Sequence, residues 1–155
     1  GTLSRAHFAR WMKMNGYVKT VQEAFDVYLG DGCPAFIKTV WPSLEEGISI
    51  ILNAGGIPVL AHPGRYKLPE ATPLSQLMKE FHEEGGLGIE VCSGSQRSET
   101  EAMLADFARQ YGFYASLGSD FHTIGGGRPR PGEIHTLPAD LDPVWKHLPA
   151  LAGIL

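Results

Sequence analysis

The sequence predicts an α/β fold built on a parallel sheet. Three observations carry this. Short apolar, β-prone runs alternate with amphipathic helical segments from residue 57 to residue 117. Each switch is marked by glycine, as at Gly55-Gly56, Gly85-Gly86 and Gly112. The intervening helices are long enough to serve as crossovers, which return the chain to the same end of the sheet and so impose parallel pairing.

The elements follow in order. Ser4 is a candidate N-cap for a helix that places Phe8, Trp11 and Met12 at helical spacing and stops at Asn15-Gly16. Thr20-Val21-Gln22-Glu23 fits a capping box, with the Glu23 side chain reaching back to the cap, and opens a short helix to about Tyr28. Ala35–Val40 reads as extended. Ser43-Leu44-Glu45-Glu46 is a second capping box, and its helix closes at Gly55-Gly56. Then come a strand at Ile57–Ala61, a helix at Leu74–Glu84, a strand at Leu87–Val91, a helix at Glu99–Tyr111 and a strand at Phe113–Leu117. The Gly- and Pro-rich run 125–132 continues neither helix nor central strand, and a short terminal helix is expected around Val144–His147. The organisation expected is a helical segment over 1–32, a β/α part over 35–122, and a loop and tail over 123–155.

Bulk properties narrow the function. The 155 residues are 43% hydrophobic and 19% charged, ordinary for a globular domain with a real core. A formal net charge of -4 argues against a broad nucleic-acid-binding field, but leaves room for a local phosphate site. The two cysteines, Cys33 and Cys92, have no CxxC spacing, so a reducing compartment and a cytoplasmic location are expected. No apolar run reaches the roughly 18 residues of a membrane span, and no leader pattern is visible.

Right-handed crossovers put the carboxyl ends of the three strands on one rim. That rim carries His62, the Cys92-Ser93-Gly94-Ser95 turn, and Asp120 with His122. Reactive groups gather at this end of parallel sheets. Asp120 and His122 follow a Gly-Ser turn and offer oxygen and nitrogen donors suited to zinc, manganese or iron. The other reading of the pair is an ordinary capped loop. His62 is either a ligand or a histidine satisfied by a carbonyl. Arg65 is either a guanidinium fork for a phosphate or a solvated loop arginine. Arg5 and His7 lie at a helix start, which is either an anion site built on free N–H groups or a simple cap with a surface arginine. Glu90 orients a ligand or pairs with a nearby donor. Cys92 reads as a small buried residue, and His82, His135 and His147 as packing or surface groups. The Gly125–Gly132 loop reads either as a mobile lid carrying Arg128 and Arg130 or, more plainly, as a solvated loop.

These motifs resemble the PHP superfamily, named for polymerase and histidinol phosphatase members, and its TrpH-like branch in particular. The matching segments are Ser4-Arg5-Ala6-His7-Phe8-Ala9-Arg10, Gly16-Tyr17-Val18-Lys19, Ser43-Leu44-Glu45-Glu46, Val59-Leu60-Ala61-His62-Pro63-Gly64-Arg65-Tyr66, Gly88-Ile89-Glu90-Val91 with Ser93-Gly94-Ser95, and Gly118-Ser119-Asp120-Phe121-His122. The resemblance implies a distorted TIM-like barrel with two or three divalent metal ions. It implies a phosphoesterase acting on nucleotide phosphates, either a 3′,5′-nucleoside bisphosphate 3′-phosphatase or a 5′-to-3′ exoribonuclease that takes short RNA, with a metal-bound hydroxide as nucleophile. By the same resemblance His62, Asp120 and His122 match metal ligands, and Arg65, Arg5 and His7 are candidates for gripping phosphate. The family's early His-x-His pair has no counterpart among the six histidines. The chain therefore looks like the C-terminal portion of such an enzyme, with the N-terminal strands missing, little activity alone, and barrel edges open to association. The alternatives are a non-catalytic PHP domain that stabilises a partner, and an amidohydrolase-like metal hydrolase.

Overall fold

The computed structural model describes residues 3–38, 40–122, 124 and 127–148. The chain forms two compact units, dividing between Trp41 and Pro42.

The first unit is helical. Helix α1 spans Arg5–Met14. Helix α2, Val21–Ala24, runs directly into a π turn at Phe25–Leu29. Thr20 caps α2 as expected, its Oγ1 accepting the Glu23 N–H at 3.0 Å. Glu23, however, reaches one residue further than a capping box, to the N–H of Lys19 at 2.6 Å. The small core consists of Ala9, Val18, Ala24 and Leu29. The segment from Ala35 does not become a strand among the described residues. Ala35 N–H bonds to Tyr28 O and Phe36 N–H to Cys33 O, which makes a turn. Ile37 and Val40 stay exposed, since β-prone side chains without a ladder partner have no pleated surface to pack on.

The second unit holds the sheet. Helix α3, Leu44–Asn53, opens with the reciprocal capping box expected: Glu46 N–H to Ser43 Oγ at 3.1 Å, and Ser43 N–H to Glu46 Oε2 at 2.9 Å. Strands β1 (Val59–Leu60), β2 (Gly88–Ser93) and β3 (Tyr114–Gly118) pair in parallel in the order β1-β2-β3. Helices α4 (Leu74–Glu83) and α5 (Ser98–Tyr111) supply the crossovers. Strand β2 is central and buried, as the middle strand of a covered parallel sheet should be. Ile89 and Val91 pack among Met78 and Phe81 of α4 and Leu104 and Ala108 of α5. Burying such aliphatic and aromatic side chains stabilises by about 1.5–3 kcal/mol each. Strand β1 is shorter than the sequence suggests: pairing is limited to Val59 with Gly88 and Leu60 with Ile89. Three strands do not close a barrel. The outer edge of β3 is partly covered, because Ala115 N–H donates to Asp142 O at 2.8 Å, next to a bridge with Pro143. The turn expected near the end is a 3-10 helix at Val144–His147.

One irregularity positions the site. Glu90 pairs with Ser116, but Cys92 pairs with Leu117, so Val91 is an extra residue on β2. Such a bulge re-aims the side chains after it. Here it brings Ser93, not Cys92, level with Gly118.

Candidate functional site

Each strand leaves the sheet through the same device. Among the described residues three non-glycine residues have positive φ: His62 (38°), Ser95 (63°) and Asp120 (52°). Each stands two residues beyond the last residue of its strand. The left-handed region disfavours side chains, at roughly 1–2 kcal/mol per residue, and such outliers cluster at functional sites. Three at one sheet end turn the chain sharply and present side chains over the rim.

After β1, the His62 N–H donates to Glu90 Oε2 at 2.5 Å. A 3-10 turn, Pro63–Arg65, then aims Arg65 back across the sheet end. Its Nη1 donates to the Asp120 carboxylate, and its Nη2 donates to Ser93 Oγ at 2.8 Å and to the Gly94 carbonyl. One guanidinium thus ties together the ends of all three strands. Gly94 is required by close approach: a Cβ there would stand 2.0 Å from Ser119 O. Glu90 spans the same end from below, accepting from His62 and lying close to Gly118, where a Cβ would meet Glu90 Oε1 at 2.9 Å.

Arg128 joins this group from the loop beyond β3. Its Nη1 donates to Gly94 O at 3.2 Å, and its Nε is 3.4 Å from Asp120 Oδ2. Partial burial pushes the Asp120 carboxyl up, but the hydrogen bond and charge of Arg65, with His122 and Arg128 adding, hold it below the usual carboxylate range. His122 is exposed, with Nδ1 2.8 Å from the Asp120 carbonyl and 3.5 Å from Asp120 Oδ1. A proton on Nδ1 for that carbonyl leaves Nε2 as an open donor to a metal.

The expected site residues are therefore placed as follows. Arg65, Asp120 and His122 come together, and His62 sits on the same rim, held by its backbone to Glu90. His62, Asp120 and His122 do not close into a metal cage: among the described residues no three His, Cys, Asp or Glu side chains gather to hold an ion. The donor chemistry, imidazole nitrogen beside carboxylate oxygen, suits a divalent metal, and Asp120 is at present engaged by arginines. Arg5 and His7 lie in the first unit and have local partners. His7 Nδ1 accepts the Ser4 N–H at 3.1 Å, and Arg5 reaches Leu29 O at 3.4 Å and the Phe36 ring. Cys92 is buried, and burial with the charges of Glu101 and Glu90 pushes its thiol up to about 11, so it is no nucleophile. His82 packs against Tyr111 and Phe113, His135 meets Glu101 at 3.1 Å, and His147 meets Asp142 at 2.7 Å. Sequence reasoning puts Arg128 on a lid or solvated loop and misses its place beside Gly94 and Asp120. Part of its loop, Gly125 and Gly126, lies outside the described residues.

No family model matches the sequence. Individual relatives do. A 3′,5′-nucleoside bisphosphate phosphatase from Chromobacterium violaceum is 41% identical over 148 residues, covering 96% of this chain and 52% of that protein. The 5′-3′ exoribonuclease Rnm of Escherichia coli is 37% identical over 150 residues, covering 94% of this chain and 49% of that protein. Nearly the whole of this chain is thus similar to proteins named as a nucleoside bisphosphate phosphatase and an exoribonuclease. It spans about half the length of the curated relatives it matches. Among solved structures, an amidohydrolase from Chromobacterium violaceum with bound sulfate and no metal aligns with a TM-score of 0.76 and 40% identity, over 95% of this chain and 50% of that one. A candidate metal-dependent phosphoesterase from Bifidobacterium adolescentis aligns with a TM-score of 0.67 and 28% identity, over 86% of this chain and 46% of that one. No helix among the described residues is long and apolar enough to cross a membrane.

Proposed function

We propose that this chain is the C-terminal portion of a PHP-type, divalent-metal-dependent phosphoesterase acting on nucleotide phosphates. Its reaction is that of a 3′,5′-nucleoside bisphosphate 3′-phosphatase or of a 5′-to-3′ exoribonuclease on short RNA. The observation that carries this is the convergence of Arg65 and Asp120, 55 residues apart in sequence, on one rim at the ends of three parallel strands. In this reading the sheet is part of a distorted TIM-like barrel, and the metal set of manganese, zinc or iron is completed by donors beyond these 155 residues. His62, Asp120 and His122 are the ligands this chain contributes. A metal held there supplies Lewis acidity to the phosphoryl group and lowers the pKa of a water. Arg65 orients the phosphate and offsets its charge. Arg5 and His7, in the first unit, are proposed to contact phosphate at their own helix start. Two unpaired cysteines fit a cytoplasmic setting.

The amidohydrolase reading is favoured by the description of one structural neighbour. Two arginines at the rim favour phosphate instead, since a neutral amide gives them no anion to bind. The test is a panel of nucleoside bisphosphates, short RNAs and N-acyl amides, offered to the intact protein with manganese. Phosphate or nucleotide release with no amide cleavage is expected. Amide cleavage without phosphate release would overturn the proposal.

A further inference from the structure

We propose that Arg128 is a second phosphate-binding residue, and that the Asp120 carboxylate occupies the phosphate seat when no ligand is bound. This rests on the phosphoesterase reading above and adds to it a residue and an internal competitor. The geometry is specific. Two guanidinium groups from separate loops meet at one oxygen, Asp120 Oδ2: Arg65 Nη1 donates a hydrogen bond to it, and Arg128 Nε lies at ion-pair distance, 3.4 Å. Each guanidinium also puts a different nitrogen on one fixed acceptor, the Gly94 carbonyl. The carbonyl cannot move aside, because Gly94 is wedged against Ser119 O and Pro129: a Cβ there would stand 2.0 Å from the former and 2.9 Å from the Pro129 Cδ. Two guanidinium groups are thus held in register by one backbone oxygen, and both also pair with a single carboxylate oxygen, one by a hydrogen bond and one at ion-pair distance.

Such a seat suits a phosphate better than a carboxylate. Phosphate presents further oxygens to N–H groups that a single Oδ2 leaves unused, and its charge of about two matches two guanidinium cations. Neither arginine is fully solvated, with side-chain exposures of 23% and 33%. Their charges are therefore less screened than those of surface arginines. When Asp120 swings out, a phosphate oxygen takes the place of Oδ2. The ligand also has somewhere to extend. A pocket of about 440 Å³ lined by Phe121, Ile124, Arg128, Arg130 and Pro131 shares Arg128 with the seat. A phosphate on Arg128 places the nucleoside beside the Phe121 ring, which offers a stacking face.

The test is binding, measured by calorimetry in the presence of a chelator, so that no hydrolysis enters. The probes are inorganic phosphate and adenosine 3′,5′-bisphosphate. Asp120→Asn removes the competing charge and should tighten phosphate at least tenfold. Adding Arg128→Gln should cancel that gain, and Arg128→Lys should lose at least threefold by giving up the fork. Adenosine 3′,5′-bisphosphate should bind at least tenfold tighter than phosphate, an advantage that Phe121→Ala removes. Circular dichroism and the urea midpoint establish that each variant folds. If Arg128→Gln does not fold, Arg128→Lys decides. Unchanged affinity on Asp120→Asn, or on a folded Arg128 variant, overturns the proposal. If the seat binds as stated but the intact protein hydrolyses no phosphate ester, the functional reading fails and this one stands. Hydrolysis that is indifferent to Arg128, with phosphate affinity equally indifferent, fails this one alone.

Discussion

Replacing Arg65 with methionine should destabilise the sheet-bearing unit by about 2–3 kcal/mol. The figure is built from what the guanidinium touches. Its pair with Asp120 lies between the exposed and buried limits, with side-chain exposures of 23% and 18%. Exposed pairs contribute about 0–1 kcal/mol. Breaking a fully buried pair costs about 3–5 kcal/mol. An intermediate cost of about 1–2 kcal/mol follows for this one. Ser93 is buried and its Oγ loses the Arg65 donor, which adds about 1 kcal/mol. The Gly94 carbonyl keeps Arg128 and so adds little. Arg128 also stays within 3.4 Å of Asp120 and can close on it, which makes the lower end of the range the better expectation. Urea unfolding measures the loss. The double variant Arg65→Met/Asp120→Asn should recover at least about 1 kcal/mol relative to additivity, because the carboxylate left uncompensated by the first change is gone. A loss under about 0.5 kcal/mol, with additive single changes, would refute the view that Arg65 binds the strand ends together.

Further outcomes follow from the same contacts. Gly94→Ala should cost at least about 2 kcal/mol in urea unfolding, since its Cβ must displace the Ser119 backbone, and an unchanged midpoint would contradict the close approach. Ser43→Ala removes the side-chain half of the α3 capping box and should cost about 1 kcal/mol, read in the same way. Native Cys92 should resist iodoacetamide at pH 8. Its thiol is raised to about 11 when folded, so the protonated form contributes its full stability below the ordinary value near 9, and that contribution is lost as pH rises from there through 11. Mass spectrometry locating rapid modification at Cys92 in folded protein would count against this.

Much of the second unit was legible from sequence because burial, periodicity and capping act locally. The helices α3, α4 and α5 begin and end within a residue or so of where capping residues and glycines put them. The rim was legible too, since β1-loop, β2-turn and β3-loop all end in polar residues on one side of a parallel sheet. What escaped depends on contacts between distant residues. Strand β1 pairs over two residues only and stops just before the chain turns left-handed at His62. The Val91 bulge has no local signature, yet it decides that Ser93 faces Arg65. Ala35–Val40 carries strand-like side chains without a partner strand to pair with. Arg128 sits in a Gly-Pro loop that reads as solvent-facing, and its role emerges only when Gly94 and Asp120 are seen beside it. Of the three expected metal ligands, Asp120 and His122, two positions apart in sequence, approach each other, while His62 is held on the rim through its backbone bond to Glu90.

The most direct test is phosphate release from adenosine 3′,5′-bisphosphate by the intact protein, measured with and without manganese, for wild type and Asp120→Asn. Metal-dependent release that falls at least a hundredfold in Asp120→Asn is the expected result. Release that persists undiminished in that variant, or that ignores the metal, would contradict the assignment of the strand-end rim as the centre of the chemistry.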